Sequence, residues 1–212
     1  MMLAVLLAQA LTVTFAEGEV TAAGARVQAG AVLHEGDTVQ TGPGGRVELT
    51  LPQGTVMRLG ESSRMTLRSA QPGRAFSAKL WLGDVWARVH KLLVAETFEV
   101  ETENAVAGVR GTEFRVQAGQ EDLLRVYEGA VEVKGAAWAH RVEPGRELRF
   151  SRERAPAGPA AFDSASDHGK FMEWVRSRPE RDVRPKEKIK EKDKDDKDRK
   201  RDRRKELRNL QR

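Results

Sequence analysis

Residues 105–133 read AVAGVRGTEFRVQAGQEDLLRVYEGAVEV, and apolar and polar side chains alternate along three short runs of this stretch. Alternation with period two is typical of half-buried strands, so one parity is predicted to face a core. The other parity, which includes Glu113 and Arg115, is predicted to face outward. Gly111 and Gly129 mark turns between the runs. The predicted core positions are Phe114, Val116, Leu124, Val126, Val131 and Val133.

The same pattern continues on both sides of this stretch, from Thr12 to Phe150. Turn signals such as Gly42-Pro43-Gly44-Gly45 recur at intervals of roughly 6 to 12 residues, which are too short for ordinary helices. The predicted fold class is all-β, with short strands in a sandwich or a solenoid-like stack. Periodicity does not separate these two arrangements, because both require alternating strands and frequent turns.

The segment Val109–Phe114 is the most distinctive part of the central stretch. Gly111 is predicted to allow a positive φ, and Phe114 to fill the core. Arg110 is predicted to pair with Glu113 near the turn. The alternative interpretation is a ligand or partner surface centred on Arg110. The fold motif as a whole consists of Val109, Arg110, Gly111, Thr112, Glu113, Phe114 and Gly129.

The runs AVAGVRGTEFRV and VYEGAVEV, with GDTVQTG at residues 36–42, resemble the FecR-type domain of bacterial cell-envelope proteins. The resemblance covers about Gly18–Phe150. In the best-known members this domain is the periplasmic part of a regulator of iron-uptake transcription, which also has an N-terminal cytoplasmic helical segment and a membrane span. Neither piece is predicted from this sequence, so sigma-factor control is not among the functions expected from the resemblance.

The first ten residues, MMLAVLLAQA, predict a signal peptide. An apolar run ends at Leu7, and Ala8-Gln9-Ala10 has the small-x-small form of a cleavage site. The run is short and has no positive residue before it, so a buried first strand is the alternative. A membrane span is not predicted, because the run falls far short of the roughly 20 residues that a bilayer requires. Export implies a location in the periplasm or cell envelope.

Composition limits the domain organisation. The chain has 212 residues and no cysteine, which allows one β domain and excludes disulfides and Cys-ligated metal sites. Residues 179–212 hold 16 Lys or Arg against 10 Asp or Glu, so the basic excess lies in this tail. The predicted parts are a signal peptide (1–10), a FecR-like β domain (11–152), a Pro/Ala linker (153–161), a short helix (162–178) and a disordered basic polyampholyte tail (179–212).

Two tryptophans flank a predicted hairpin turn at Gly83-Asp84. This turn would pair Trp81 with Trp86 across the hairpin, and parity points both indoles away from the neighbouring aliphatic side chains. The indoles are then either covered by another layer, such as the helix, or exposed as a contact patch. Together with Arg110, they are the candidate binding residues.

No catalytic, metal or cofactor site is predicted. The four histidines are scattered without metal-ligand spacing, and neither a nucleophile elbow nor a phosphate loop is present. The chain is therefore predicted not to be an enzyme.

The predicted function is a non-enzymatic, exported cell-envelope protein for binding, sensing or scaffolding. Its expected partner is another envelope protein or an envelope polymer, with possible anionic surface contact through the tail. The alternative is a cytoplasmic nucleic-acid-associated protein that uses the basic tail. Interleaved acidic residues and the absence of aromatic residues in the tail argue against strong nucleic-acid binding.

Overall fold

The computed structural model describes residues 11–51, 54–71, 74–93 and 96–176. The predicted signal peptide (1–10) and the charged tail (179–212) lie outside these residues. The strands are β1 (Leu11–Glu17), β2 (Val20–Ala22), β3 (Ala25–Arg26), β4 (Val32–Leu33), β5 (Thr38–Thr41), β6 (Arg46–Thr50), β7 (Val56–Leu59), β8 (Arg64–Gln71), β9 (Ala75–Arg88), β10 (Thr97–Glu101), β11 (Val106–Val109), β12 (Glu113–Ala118), β13 (Asp122–Glu128), β14 (Val131–Lys134), β15 (Ala139–Val142), β16 (Arg146–Phe150) and β17 (Ala160–Ala161), and the helix is α1 (Ser164–Arg176).

The strands form two sheets that share β9. The front sheet has the order β4-β1-β6-β7-β9-β12-β13-β16-β17. The back sheet has the order β3-β2-β5-β8-β9-β10-β11-β14-β15. Strands follow each other almost in chain order within each sheet, as in a stack of coils, while both sheets contribute to one core, as in a sandwich. The all-β prediction is confirmed, and the fold combines the two predicted arrangements.

The predicted core positions of the central stretch are confirmed, since all six are at most 1% exposed. Aromatic rings extend this core between the sheets. Phe98 on β10 stacks on Phe76 of β9, with 4.5 Å between ring centroids, and its edge meets Phe114 of β12 at 6.4 Å. Because β10 and β12 belong to different sheets, the second contact crosses the core. Fully burying a side chain of this kind contributes about 1.5–3 kcal/mol.

The predicted hairpin at Gly83-Asp84 is wrong, because residues 75–88 form the single strand β9. Its first half pairs with β8 and β10, and its second half pairs with β7 and β12. Gly83 lies at the change of sheet with φ +97°, and a Cβ there would come within 2.5 Å of the Ser63 Cα, so glycine is required. The buried parity changes between Leu80 and Val85 because the strand changes sheets, not because it turns back.

The helix α1 begins after a capping residue. The Asp163 Oδ1 accepts a hydrogen bond from the Ser166 backbone N at 3.0 Å, which satisfies a donor that the first helical turn leaves unpaired. Just before the helix, Ala160–Ala161 pairs with β16 as β17, a strand that the Pro/Ala composition did not predict.

The first compact unit of the structure ends at Gly169, within this helix, and a second begins at Lys170. No helix of the described residues is both long and apolar enough to cross a bilayer.

Candidate functional site

The motif Val109–Phe114 carries the chain from the back sheet to the front sheet. Val109 ends β11, Glu113 begins β12, and Gly111 between them has φ +71°, which confirms the predicted positive φ. Thr112 fixes this crossing, because its Oγ1 donates to the Ala130 carbonyl at 3.0 Å and its carbonyl accepts from the Val89 N at 2.9 Å. The motif is therefore a structural junction between the sheets.

Glu113 has the predicted outward parity, but it is only 2% exposed. Its Oε2 accepts hydrogen bonds from Arg88 Nε at 3.0 Å and Nη2 at 2.7 Å, and its Oε1 lies 3.1 Å from the His168 Nε2. Glu113 does face away from the core, but His168 on α1 covers it. The predicted pair with Arg110 is not formed; within the described residues Arg110 has no carboxylate within ion-pair distance.

Asp167, in the first turn of α1, joins the helix to the front sheet. Its carboxylate accepts hydrogen bonds from the Tyr127 hydroxyl and from Arg125 Nη1 at 3.0 Å, and Arg115 Nη1 lies at 3.4 Å. Burial raises the pKa of Asp167, but the Tyr127 hydrogen bond and the two guanidinium charges outweigh it, so the pKa lies below its ordinary value. Burial and the same hydrogen bond raise the pKa of Tyr127 far above its usual range.

Asp167, Tyr127, Arg115 and Arg125 form a polar layer on the front sheet. Trp86 lies beneath this polar layer and is only 3% exposed. Its ring stacks on Tyr127 with 4.2 Å between centroids, and His168 lies at 5.4 Å. The outward face predicted for this indole is thus covered by Tyr127 of β13 and by His168 at the start of α1. Trp86 is placed as a packing residue and not as part of an exposed patch.

Trp81 is on the other sheet and remains 39% exposed. Its indole Nε1 donates to the Thr66 Oγ1 at 2.9 Å, and the Lys79 Nζ lies 4.1 Å from the ring centroid. The structure therefore separates the two predicted indoles, and Trp81 alone is available to a partner.

Arg110 lines a groove of about 790 Å³ on the outer face of the back sheet. In register across this face lie Glu99 on β10, Gly108 on β11 and Glu132 on β14. Because Gly108 has no side chain, its position forms a gap between two carboxylate-bearing neighbours, each about 5 Å away. At the β15 end the Arg141 Nε donates to Glu143 Oε1 at 2.6 Å. The groove therefore presents charges of both signs around a floor of backbone.

Several of these residues were missed at the level of sequence. Asp167 and His168 lie in the helix. The alternation of apolar and polar residues along strands does not indicate which helical side chains will contact a sheet. Tyr127 gives a weak signal, because a large aromatic residue on the outward parity of a strand indicates that something covers it. Gly108 gives none, since a glycine within a strand pattern indicates a bulge as readily as a gap.

In the part of the chain that the structure describes, no group of three His, Asp or Glu side chains is placed to bind a metal ion.

The polar layer over Trp86 is made of complementary ion pairs. In addition to Asp167, Arg115 contacts Asp84 at 2.5 Å and Arg125 contacts Glu147 at 2.9 Å. Each cation therefore has two carboxylate neighbours, an arrangement that stabilises a fixed contact.

Comparison with known proteins agrees with this architecture. Two crystal structures of a candidate anti-sigma factor from Parabacteroides distasonis ATCC 8503 each superpose with a TM-score of 0.56 at 21% identity. The match covers 66% of this chain and 65% and 64% of those chains, less than two thirds of their length, and it establishes similarity of fold. No curated protein matches the sequence. The FecR protein family model matches residues 37–132, from β5 into β14, including the Val109–Phe114 junction. The chain therefore carries a FecR-type domain.

Proposed function

We propose that this chain is an exported, non-enzymatic binding or sensing protein of the cell envelope, built on its FecR-type domain. The family match supports an envelope-type regulatory or sensing domain. The apolar start and the Ala8-Gln9-Ala10 sequence support export. The anti-sigma description belongs to a solved protein of similar fold and supports only the broad class of regulatory domains.

The groove beside Arg110 is the observation that carries this proposal. It lies within the matched domain and is built on regular strands, which hold its lining residues in fixed positions. Arg110 is exposed at its edge without a carboxylate partner among the described residues. A concave surface with convergent charged groups is the ordinary form of a ligand site.

The chemistry of the groove favours a polar, extended ligand that carries charges of both signs. Arg110 can receive an anionic group, and Glu99 and Glu132 on either side of Gly108 can receive a cationic one. Lys134 already lies 3.9 Å from Glu132, a distance that leaves this carboxylate only weakly paired. An envelope protein segment or an envelope polymer fits this description. The tail, with its net +6 charge, would add contact with an anionic surface.

The groove is tested by photo-crosslinking in living cells. A photoreactive amino acid at Glu132 places the reporter inside the groove, and one at Arg152, an exposed loop residue, is the matched control. Covalent adducts in the envelope fraction are expected from the first position and not from the second. Gly108→Leu fills the gap, and the nearest atom to its Cβ, the Glu132 carbonyl oxygen, is 3.8 Å away, so the variant is expected to fold.

Gly108→Leu should remove the groove adducts while its circular dichroism spectrum and melting temperature match the wild type. Equal adducts at both positions, or groove adducts that persist after the gap is filled, would contradict a ligand site at this place.

A further inference from the structure

A β-bulge sets Trp81 and Leu82 side by side on the surface. Between β8 and β9 the register shifts: Met65 opposes Leu80 but Arg64 opposes Leu82, so Trp81 is the extra residue. A regular strand would turn one of two consecutive side chains inward. Here Trp81 is 39% and Leu82 54% exposed, so two large apolar side chains that are adjacent in the chain both reach the surface.

The Trp81 indole is held in position by its neighbours. Its Nε1 donates to Thr66 Oγ1, which in turn lies 2.8 Å from the Thr38 Oγ1. The Lys79 ammonium stands against the ring at 4.1 Å, and the Arg68 guanidinium lies 5.9 Å from its centroid. An aromatic residue that is already ordered loses little conformational entropy when a partner binds.

The charge around this surface is positive and partly uncompensated. Lys79 is neutralised by Glu103 at 2.9 Å and Glu101 at 3.5 Å. Arg64 and Arg68, by contrast, are exposed, and neither has an ion-pair partner among the described residues. Arg64 is the cross-strand neighbour of Leu82 and Arg68 lies beside Trp81, so each apolar side chain has a cation next to it.

We propose that Arg64, Arg68, Trp81 and Leu82 form a docking surface for an acidic segment of a protein partner that also carries an apolar residue. Tryptophan and arginine are the residues that most often dominate protein interfaces, and an apolar centre with charged neighbours is their usual arrangement. The two free guanidinium groups select carboxylates by charge and geometry. The surface is distinct from the groove beside Arg110, so it extends the proposed function without depending on that site.

Other occupants fit this surface less well. The tail of the chain has a net charge of +6, so its charge opposes docking beside two arginines. Nucleic acid and anionic membranes are bound through larger numbers of cations than the two that are uncompensated here. A sugar ring that stacks on Trp81 would compete with the two cations that already lie over this ring, Lys79 and Arg68.

The test is a selection of short random peptides displayed on phage, using the wild-type protein as the target. An enriched peptide is then synthesised with a fluorophore, and its affinity is measured by anisotropy for wild type, Arg64→Glu/Arg68→Glu and Leu82→Ser. The matched control is Arg152→Glu/Arg154→Glu, which makes the same change of net charge at exposed positions in a loop.

The proposal expects peptides that combine Asp or Glu with an apolar residue. It also expects affinity to fall at least about tenfold in both surface variants, while the control stays within about twofold of wild type. Enriched peptides without acidic residues, or an equal loss in the control, would overturn it. Loss of peptide binding in Gly108→Leu would also contradict it, since the peptide would then occupy the groove. Duplex DNA or anionic vesicles that compete with the peptide for the same residues would assign the surface to another class of partner.

Discussion

The Tyr127 hydroxyl on β13 donates a hydrogen bond to the Asp167 carboxylate in the first turn of α1. The Asp167 carboxylate also accepts a hydrogen bond from Arg125 of β13, and Arg115 of β12 lies close to it. One helical side chain therefore compensates two cations of the front sheet and places the start of the helix over Trp86.

The first prediction concerns this carboxylate. Asp167→Asn removes a charge that both arginines contact, although each keeps a second acidic partner. We expect a loss of about 1–3 kcal/mol in the free energy of unfolding at neutral pH. The control Glu143→Gln breaks the exposed pair with Arg141, and because solvent screens such a pair it should lower the free energy of unfolding much less than Asp167→Asn does. Urea denaturation of the three proteins measures both values, and equal losses would contradict the proposed role of Asp167.

The pH dependence of the same variant follows from the lowered pKa of Asp167. A carboxyl group whose pKa is lower in the folded state stabilises the fold above its unfolded-state pKa of about 3.9, and this contribution disappears as pH falls through the folded-state value. The difference in melting temperature between wild type and Asp167→Asn should therefore stay constant from neutral to mildly acidic pH and shrink below about pH 4. A difference that shrinks near neutral pH would show that another group controls the contact.

Gly111 and Gly108 provide a matched pair in neighbouring positions. Gly111 has φ +71°, and a Cβ there would lie 3.1 Å from the Lys91 Cα, whereas Gly108 lacks a positive φ and its Cβ would meet nothing closer than 3.8 Å. Gly111→Val should destabilise by roughly 1–3 kcal/mol, and Gly108→Ala should have little effect on stability. Chemical denaturation measures both. A Gly111→Val protein as stable as wild type would refute the junction role of this motif.

The two central tryptophans should behave differently in fluorescence experiments. Trp81 is partly exposed and Trp86 is buried under Tyr127. Replacing Trp81 with Ala should reduce the fraction of the emission that acrylamide quenches readily and cost little stability. Replacing Trp86 with Ala should cost about 3–5 kcal/mol, because it opens a cavity beneath the polar layer. The reverse assignment would contradict the separation of the two indoles.

The alternating strands of the central stretch could be predicted because each one is short and regular. The burial of Val131 and Val133 follows from strand alternation alone, and the positive φ of Gly111 follows from the turn that the sequence predicts there. The course of β9 could not be read in this way, because the bend at Gly83 and the bulge at Trp81 both change parity within a continuous strand. Burial of Glu113 depends on His168, which is 55 residues away in the chain. The groove at Gly108 requires the pairing of β10, β11 and β14, and local patterns do not specify which strands pair.

The most direct test of the central claim is the N-terminal sequence of the mature protein from fractionated cells. Export to the envelope predicts a protein in the periplasmic or envelope fraction that begins near Leu11, after the Ala8-Gln9-Ala10 sequence. A protein that retains Met1, remains in the cytoplasmic fraction and binds nucleic acid in a salt-sensitive manner would contradict the envelope account and favour nucleic-acid association through the basic tail.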